Sequence, residues 1–243
     1  MSLPDVSRLH EVCDATWPAA ARREVEGWIV RTGAGGGKRV SAATIAPGVP
    51  NGTLPDIARA ERAMRALGQV PLFMVRQGED ALDEALQARG YGLCDPVRLY
   101  ACPVSLLSAK PVARMSAFVI WPPLAIQRDI WASGGIGAAR VAVMERAAVP
   151  RTSVLARARD RAAGTAYVGI ERKIAMLHAI EVVPEQRRQG VGLNILRAAA
   201  HWAQENGARH LSLIVTDANV AANGLYLKAG MTVVGKYHYR VRQ

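Results

Sequence analysis

The chain has 243 residues, half of them hydrophobic and 21% charged, with no run of 18 apolar residues; it is long enough for one large or two small globular domains and has no membrane-spanning helix. Its net charge of +11 raises the question of nucleic acid. The basic residues, however, are spread along the chain, mostly Arg among Ala and Gly, and no recognition helix, zinc finger or RNA-binding signature occurs, so a nucleic-acid partner is not expected. Cys13, Cys94 and Cys102 form an odd set at unrelated spacings that suits neither a disulfide framework nor a zinc site; with an acidic start that lacks an apolar signal core, this makes a reducing cytoplasm the expected compartment and gives no reason for a metal.

In chain order, residues 10–25 read as a helix containing Trp17 and Pro18, and 28–32 as a strand. The glycine-rich stretch 33–37 joins that strand to a return strand over 38–45. A phosphate loop would open a helix, so a hairpin turn is the reading here. A loop rich in Pro and Gly leads to a helix over 56–67, with Ile57, Ala60, Met64 and Leu67 at helical spacing. A strand over 71–76, a helix over 80–89 and two short strands, around 92–94 and 97–102, follow.

This first half echoes the last third of the chain. Leu72, Phe73, Met74 and Val75 align with Ser212, Leu213, Ile214 and Val215, and Gly90 with Gly230, at a constant offset of 140 residues. Both stretches read strand, helix, Gly, strand, which suggests an internal structural repeat. The later polar positions do not recur: Asn219 falls on Glu79 and Tyr226 on Leu86.

Residues 105–114 read as a linker between an N-terminal unit, 1–104, and a C-terminal domain, 115–243. The second domain opens with a strand over 115–120, stopped by Trp121, Pro122 and Pro123. Helices over 124–133 and 138–148 come next, broken by glycines at 134, 135 and 137. A hairpin turning at Asp160 and Arg161 leads into the stretch that organises the chain, AMLHAIEVVPEQRRQGVG from Ala175. It begins as a buried strand over 174–183, ended by Pro184, which supplies no ladder donor. Arg187, Arg188, Gln189, Gly190, Val191 and Gly192 then lead into a helix. A strand running through an Arg/Gly loop into a helix N-terminus is a site for a phosphate, because unpaired N–H groups and the positive helix end meet there. A second buried strand, 211–215, precedes Asn219-x-x-Ala222-x-x-Leu225-Tyr226-x-x-x-Gly230-Met231.

With both motifs in order, the sequence resembles the GCN5-related N-acetyltransferases, the GNAT superfamily, over roughly residues 115–243; Met231 stands where that family usually has Phe. The resemblance implies an α/β (α+β) fold with a mixed central sheet flanked by helices, here preceded by a smaller, partial and degenerate GNAT-like unit. It also implies an acetyl-CoA cosubstrate, without a metal, and an acetyl group moved to a primary amine. The pyrophosphate falls to the loop from Arg187 to Gly192. The carbonyl falls to backbone N–H groups at Val182 and Val183, where the family's fourth and fifth strands splay. Asn219 matches the family's CoA-contacting Asn, although alone it would be a helix N-cap. Tyr226 matches the general acid; a phenol pKa of about 10 lies near that of an alkyl thiol, and the competing role is a half-buried core tyrosine.

An ammonium of pKa about 10 must lose a proton before attack. His178 and Glu181 are the candidate bases and, three residues apart, face opposite sides of a regular strand. His178 stands where arylalkylamine-acetylating members carry His and is preferred, against the role of a satisfied core histidine; Glu181 is second, or a partner for the arginines. Trp121, Trp131 and Met144 line the acceptor pocket or belong to its core. No Cys stands near the motifs, which points away from an acyl-enzyme and toward direct attack in a ternary complex, with a small-molecule amine as acceptor. The alternative is a non-catalytic GNAT-like protein that binds CoA as a sensor or structural module.

Overall fold

The computed structural model describes residues 2–50 and 52–242. Helix α1 (Val6–Thr16) starts at Asp5, whose carboxylate accepts from the Arg8 N–H at 2.8 Å. It stops at Thr16 because Pro18 has no N–H to continue the ladder. The helix expected over 10–25 therefore lies earlier and is shorter. Strand β1 (Ala21–Val25) pairs with β2 (Trp28–Thr32) across Glu26 and Gly27, which both take positive φ, as a tight hairpin turn requires. The return strand expected over 38–45 is instead a 3₁₀ turn at Lys38–Val40 and a two-residue strand, β3 (Thr44–Ile45), which completes a three-stranded sheet.

Helix α2 (Ile57–Ala66) is capped by Asp56 and buries Ile57, Ala60, Ala63 and Met64 along one face. Strand β4 (Leu72–Arg76) and helix α3 (Asp80–Ala88) follow. Strand β5 (Gly92–Pro103) is one strand of 12 residues rather than two, kinked at Asp95, whose φ is +45°. The remaining elements are α4 (Ser105–Ser108), β6 (Ala117–Ile120), α5 (Ala125–Ser133), α6 (Ala138–Arg146), β7 (Arg151–Ala158), β8 (Arg161–Glu171), β9 (Ile174–Val182), α7 (Val191–Glu205), β10 (His210–Thr216), α8 (Val220–Lys228) and β11 (Thr232–Val241). No helix among the described residues is long and apolar enough to cross a membrane.

An eight-stranded mixed sheet runs β4-β11-β5-β10-β9-β8-β7-β6. Of residues 1–104, β1, β2 and β3 form their own sheet, whereas β4 and β5 join the large one: β5 lies between β10 and β11, and β4 pairs with β11. The segment 105–114 crosses no gap, since α4 buries Leu107 in the core beneath α7. The repeat is visible in the pairing. Shifting each residue by 140 turns the β10·β5 register (Ser212↔Ala101) into that of β4·β11 (Val241↔Leu72). The pairing of Val97 with Tyr237 maps onto itself, so a local two-fold axis passes through it. The expected repeat is a structural one from α2 to β5 and from α7 to β11.

Helix α7 packs an alanine-rich face (Ala198, Ala199, Ala200 and Ala203) on one side of the sheet, and α1 buries Leu9, Val12 and Cys13 on the other. The helix pair α5 and α6 covers the α1 side beyond it. Trp131 and Met144 are fully buried there, with Trp121 packed on them, so these three form core. The glycines of the 33–37 turn have a purpose of their own. A Cβ on Gly36 would stand 2.6 Å from Val143 of α6 and 3.1 Å from the Gly33 carbonyl. Only a bare backbone lets this turn lie flush on α6. Gly36→Ala is expected to cost about 1–3 kcal/mol, read as a lower urea midpoint at unchanged m-value.

Candidate active site

Every neighbouring pair in the large sheet is antiparallel except β9 and β10. A parallel pair needs a crossover, and α7 supplies it. The pairing of β9 with β10 ends at Leu177↔Leu213, although the strands run on to Val182 and Thr216. The two strands therefore part beyond Leu177, and the gap opens at the N-terminus of α7.

A bulge in β9 shapes this gap. Ala179 takes φ +50°, and the register against β8 slips between Tyr167↔His178 and Thr165↔Glu181. One extra residue resets the alternation. His178 and Glu181, opposite Tyr167 and Thr165 two residues apart on β8, consequently share the face toward α5. The expectation that they face opposite sides fails for this reason. Beyond the bulge, the Val183 N–H is spent on the Ala163 carbonyl at 2.9 Å. By ladder alternation, the N–H groups of Ile180 and Val182 point away from β8, into the gap. Of the two donors expected at Val182 and Val183, Val183 is therefore spent in the ladder.

On the α7 side of the gap is a cavity of about 660 Å³. Helix α7 begins at Gly190, whose φ of +78° is left-handed, and its first backward bond is from the Asn194 N–H to the Gly190 carbonyl at 3.0 Å. The N–H groups of Val191, Gly192 and Leu193 have no intrahelical acceptor and open on this cavity. Arg187, Arg188, Gly190, Val191 and Gly192 line it, together with Val182, Asn219 and Tyr226. A Cβ on Gly192 would stand 2.8 Å from Leu225, so glycine there lets α7 and α8 close on each other. Arginines, a left-handed glycine and open N–H groups at a helix N-terminus fit a pyrophosphate. Gln189 is left out, its amide donating to the Glu185 carbonyl at 3.2 Å. The Asn219 side chain caps α8, accepting from the Ala222 N–H at 3.1 Å.

On the α1 side is a second cavity, of about 460 Å³. His178 forms part of its wall, buried and stacked on Trp17 with ring centroids 5.1 Å apart. Arg39 Nη1 donates to His178 Nδ1 at 3.0 Å. The remaining nitrogen, Nε2, then carries the proton and donates to Thr16 Oγ1 at 2.8 Å, and that hydroxyl donates to the Val12 carbonyl at 2.7 Å. Burial, and then the Arg39 charge, hold the imidazole well below its ordinary pKa. With its lone pair already accepting and its N–H already donating, His178 is a neutral wall group with nowhere to take a proton. Glu181, the second candidate base, lines the α7-side cavity rather than this one. That carboxylate is half-buried, 3.5 Å from Arg187, and raised in pKa by burial against the pull of Arg187.

Tyr226, 4% exposed, is where the two cavities meet: it lines both, as do Ile180 and Asn219. Tyr100 of β5 holds it edge-on at 5.5 Å. Tyr100 in turn donates to Asn223 Oδ1 at 2.8 Å, and Asn223 donates to the Thr216 and Asn219 carbonyls. Burial raises the phenol pKa, so the proton stays on at neutral pH.

The sequence motifs name most of the polar and glycine residues that line the α7-side cavity. They miss Thr16, Trp17, Arg39 and Tyr100, which come from the N-terminal half, and Arg140 from α6. The one available signal was the basic pair Lys38 and Arg39 after the glycine turn. No cluster of metal-ligating side chains occurs among the described residues.

The GNAT acetyltransferase family model matches residues 120–231. An uncharacterized N-acetyltransferase of Bacillus subtilis is 25% identical over 258 aligned positions, spanning 99% of this chain and 100% of the relative. An aminoglycoside N(6')-acetyltransferase type 1 of Klebsiella aerogenes is 38% identical over 63 positions, 26% of this chain and 41% of the relative. The solved structure of a GCN5-related N-acetyltransferase from Kribbella flavida superposes with a TM-score of 0.74 at 17% identity, covering 98% of this chain and 96% of that one.

Proposed function

Because the chain belongs to the GNAT superfamily of acetyl-CoA-dependent N-acyltransferases, we propose that it acetylates a primary amine of a small molecule by direct attack in a ternary complex. The observation that carries this reading is the meeting of two cavities at Tyr226, across the gap between β9 and β10. The α7 side takes the nucleotide and pantetheine arm, and the α1 side takes the acceptor. A wall built from both halves of the chain encloses the acceptor, which suits a small molecule better than a protein surface. Three unpaired thiols, Cys13, Cys94 and Cys102, fit a cytoplasmic enzyme.

In this mechanism Arg187, Arg188 and the N–H groups of Val191, Gly192 and Leu193 hold the pyrophosphate. The Val182 N–H polarises the thioester carbonyl. Glu181 accepts the ammonium proton through a bridging water, and the neutral amine attacks the carbonyl carbon. As the C–S bond breaks, Tyr226 gives its proton to the departing thiolate, and the proton shed by the newly acylated nitrogen restores the phenol through water. The positive charge of Arg39 in the acceptor cavity itself favours the neutral amine.

The test is thiol release from acetyl-CoA against an amine panel, run beside calorimetric titration of CoA. CoA binding with turnover of at least one amine supports the reading. Binding without turnover across the panel makes the protein a sensor, and failure to bind CoA removes the phosphate site. The base has its own signature. In the wild type, kcat/KM falls with two protons at acid pH, one from Glu181 and one from the acceptor, and with one proton above. Glu181→Gln is expected to lose the Glu181 limb and about 10- to 100-fold in kcat/KM at neutral pH. An unchanged profile would remove Glu181 from the role.

A further inference from the structure

The charges in the acceptor cavity do not balance. Arg39 projects from the 3₁₀ turn at Lys38–Val40, and Arg140 from α6 stands beside the same turn, 3.4 Å from where a Cβ on Gly37 would lie. Arg39 Nε is fully buried and has no hydrogen-bond partner, Nη1 donates to the neutral His178, and the other groups facing the guanidinium, Tyr237, Tyr239 and Cys13, are neutral as well. Arg140 makes a single long contact, Nη1 to the Gly135 carbonyl at 3.5 Å. Among the described residues no carboxylate lies within ion-pair distance of either guanidinium. The cavity's carboxylate, Asp95, is already paired with Lys38 at 2.6 Å.

A buried guanidinium with an unspent donor is costly unless something anionic completes it. Cations on a cavity wall also repel a ligand that carries only positive charge. We infer that the acceptor is an amine that also bears a carboxylate, an amino-acid-like zwitterion, and that Arg39 and Arg140 hold this carboxylate while its amine faces Tyr226. The inference rests on the acetyltransferase reading and narrows it. Arginine suits the task because its planar fork matches a carboxylate with two parallel hydrogen bonds. The chain has a reason to bring the pair together. The glycines at 35–37 let the turn lie on α6, so one guanidinium from each half of the fold reaches the same cavity. Fixing the carboxylate there orients the amine toward the gap, and orientation of this kind is worth large rate factors.

The experiment compares α- and ω-amino acids with their carboxamides and with a polyamine as acceptors, under saturating acetyl-CoA. The acids are expected to exceed their amides by about 100-fold in kcat/KM, the range of a charge-assisted bidentate pair. Arg140→Gln, at a half-buried position, is expected to raise KM for the acids about tenfold and to shrink the acid-to-amide ratio. Arg39→Lys keeps the charge and loses the fork, and is expected to shrink the same ratio without unfolding the protein. Amides or the polyamine used as well as the acids would overturn the inference and leave the acetyltransferase reading standing. If no amine turns over, that reading falls, and calorimetry of the same acids and amides with CoA present decides the inference alone: tighter binding of acids, lost in Arg140→Gln, supports it, and equal binding ends it.

Discussion

Tyr226→Phe is expected to lower kcat by about 100- to 1,000-fold while the KM for acetyl-CoA stays near its wild-type value, the range found for removing a positioned proton donor. The substitution isolates the hydroxyl. A phenylalanine ring keeps the edge-on contact with Tyr100 at 5.5 Å and the buried position in the core that α8 shares with α7, so the fold and the cofactor cavity persist. If Tyr226 were only a core aromatic, the same change would be nearly silent in turnover. Leaving-group dependence sharpens the result. A donor to the departing thiolate matters less as the thiol becomes more acidic, so the defect should narrow with an acyl donor whose thiol has a lower pKa. An undiminished kcat, or a defect of the same size for every leaving group, would take the acid role away from Tyr226.

The cofactor side of this site was legible in the sequence because it is local. Arg187, Arg188, Gly190 and Gly192 lie within six residues, and the strand and helix on either side follow from apolar runs and from Pro184. Asn219 and Tyr226 belong to the next strand–helix step and needed only the motif to be read. The acceptor side was not legible, because its parts lie far apart in the chain. Thr16 reaches His178 across 162 residues and Arg39 reaches it across 139, and no spacing rule connects them. One inserted residue, Ala179, also undid the alternation argument for His178 and Glu181. A bulge leaves no mark in an apolar run that begins Ile-Ala-Met-Leu and contains no glycine. The place of β4 and β5 in the large sheet was hidden for a related reason. The composition at 105–114 does read as a linker, but strand pairing is non-local, and β5 finds its neighbours β10 and β11 more than 100 residues downstream. The repeat offset of 140 carried that information, since a two-fold pairing between repeats is what places β5 between β10 and β11.

The second large effect concerns stability. His10 and His178 are both buried, and both are held neutral. Burial and then the charges of Arg76, Arg31 and Arg39 lower His10 from 6.5 to about 3, and burial and then Arg39 lower His178 well below 6.5. In the unfolded chain each titrates near 6.5. Between 6.5 and the depressed folded values the unfolded state therefore binds more protons, and stability falls as pH falls. From pH 7 to 5.5 the two histidines together are expected to remove about 2.5 kcal/mol, a sizeable part of the 5–15 kcal/mol typical of a folded chain. Glu79 and Glu181 act with the opposite sign, since burial raises both above 4.5, but their window lies nearer that value. Urea midpoints from pH 7 to 5.5 therefore read mainly the histidines. His10→Phe should halve the pH slope: it keeps a ring against Tyr237, whose centroid is 5.7 Å away, and removes an Nε2 that is buried without a partner. Stability at pH 7 should not drop in this variant, because no hydrogen bond of that nitrogen is lost. A wild-type midpoint that stays flat down to pH 5.5 would mean that both imidazoles are charged in the fold. For His178 that would place two cations, the imidazolium and Arg39, within 3.0 Å of each other, an arrangement that could persist only with an anion bound in the acceptor cavity.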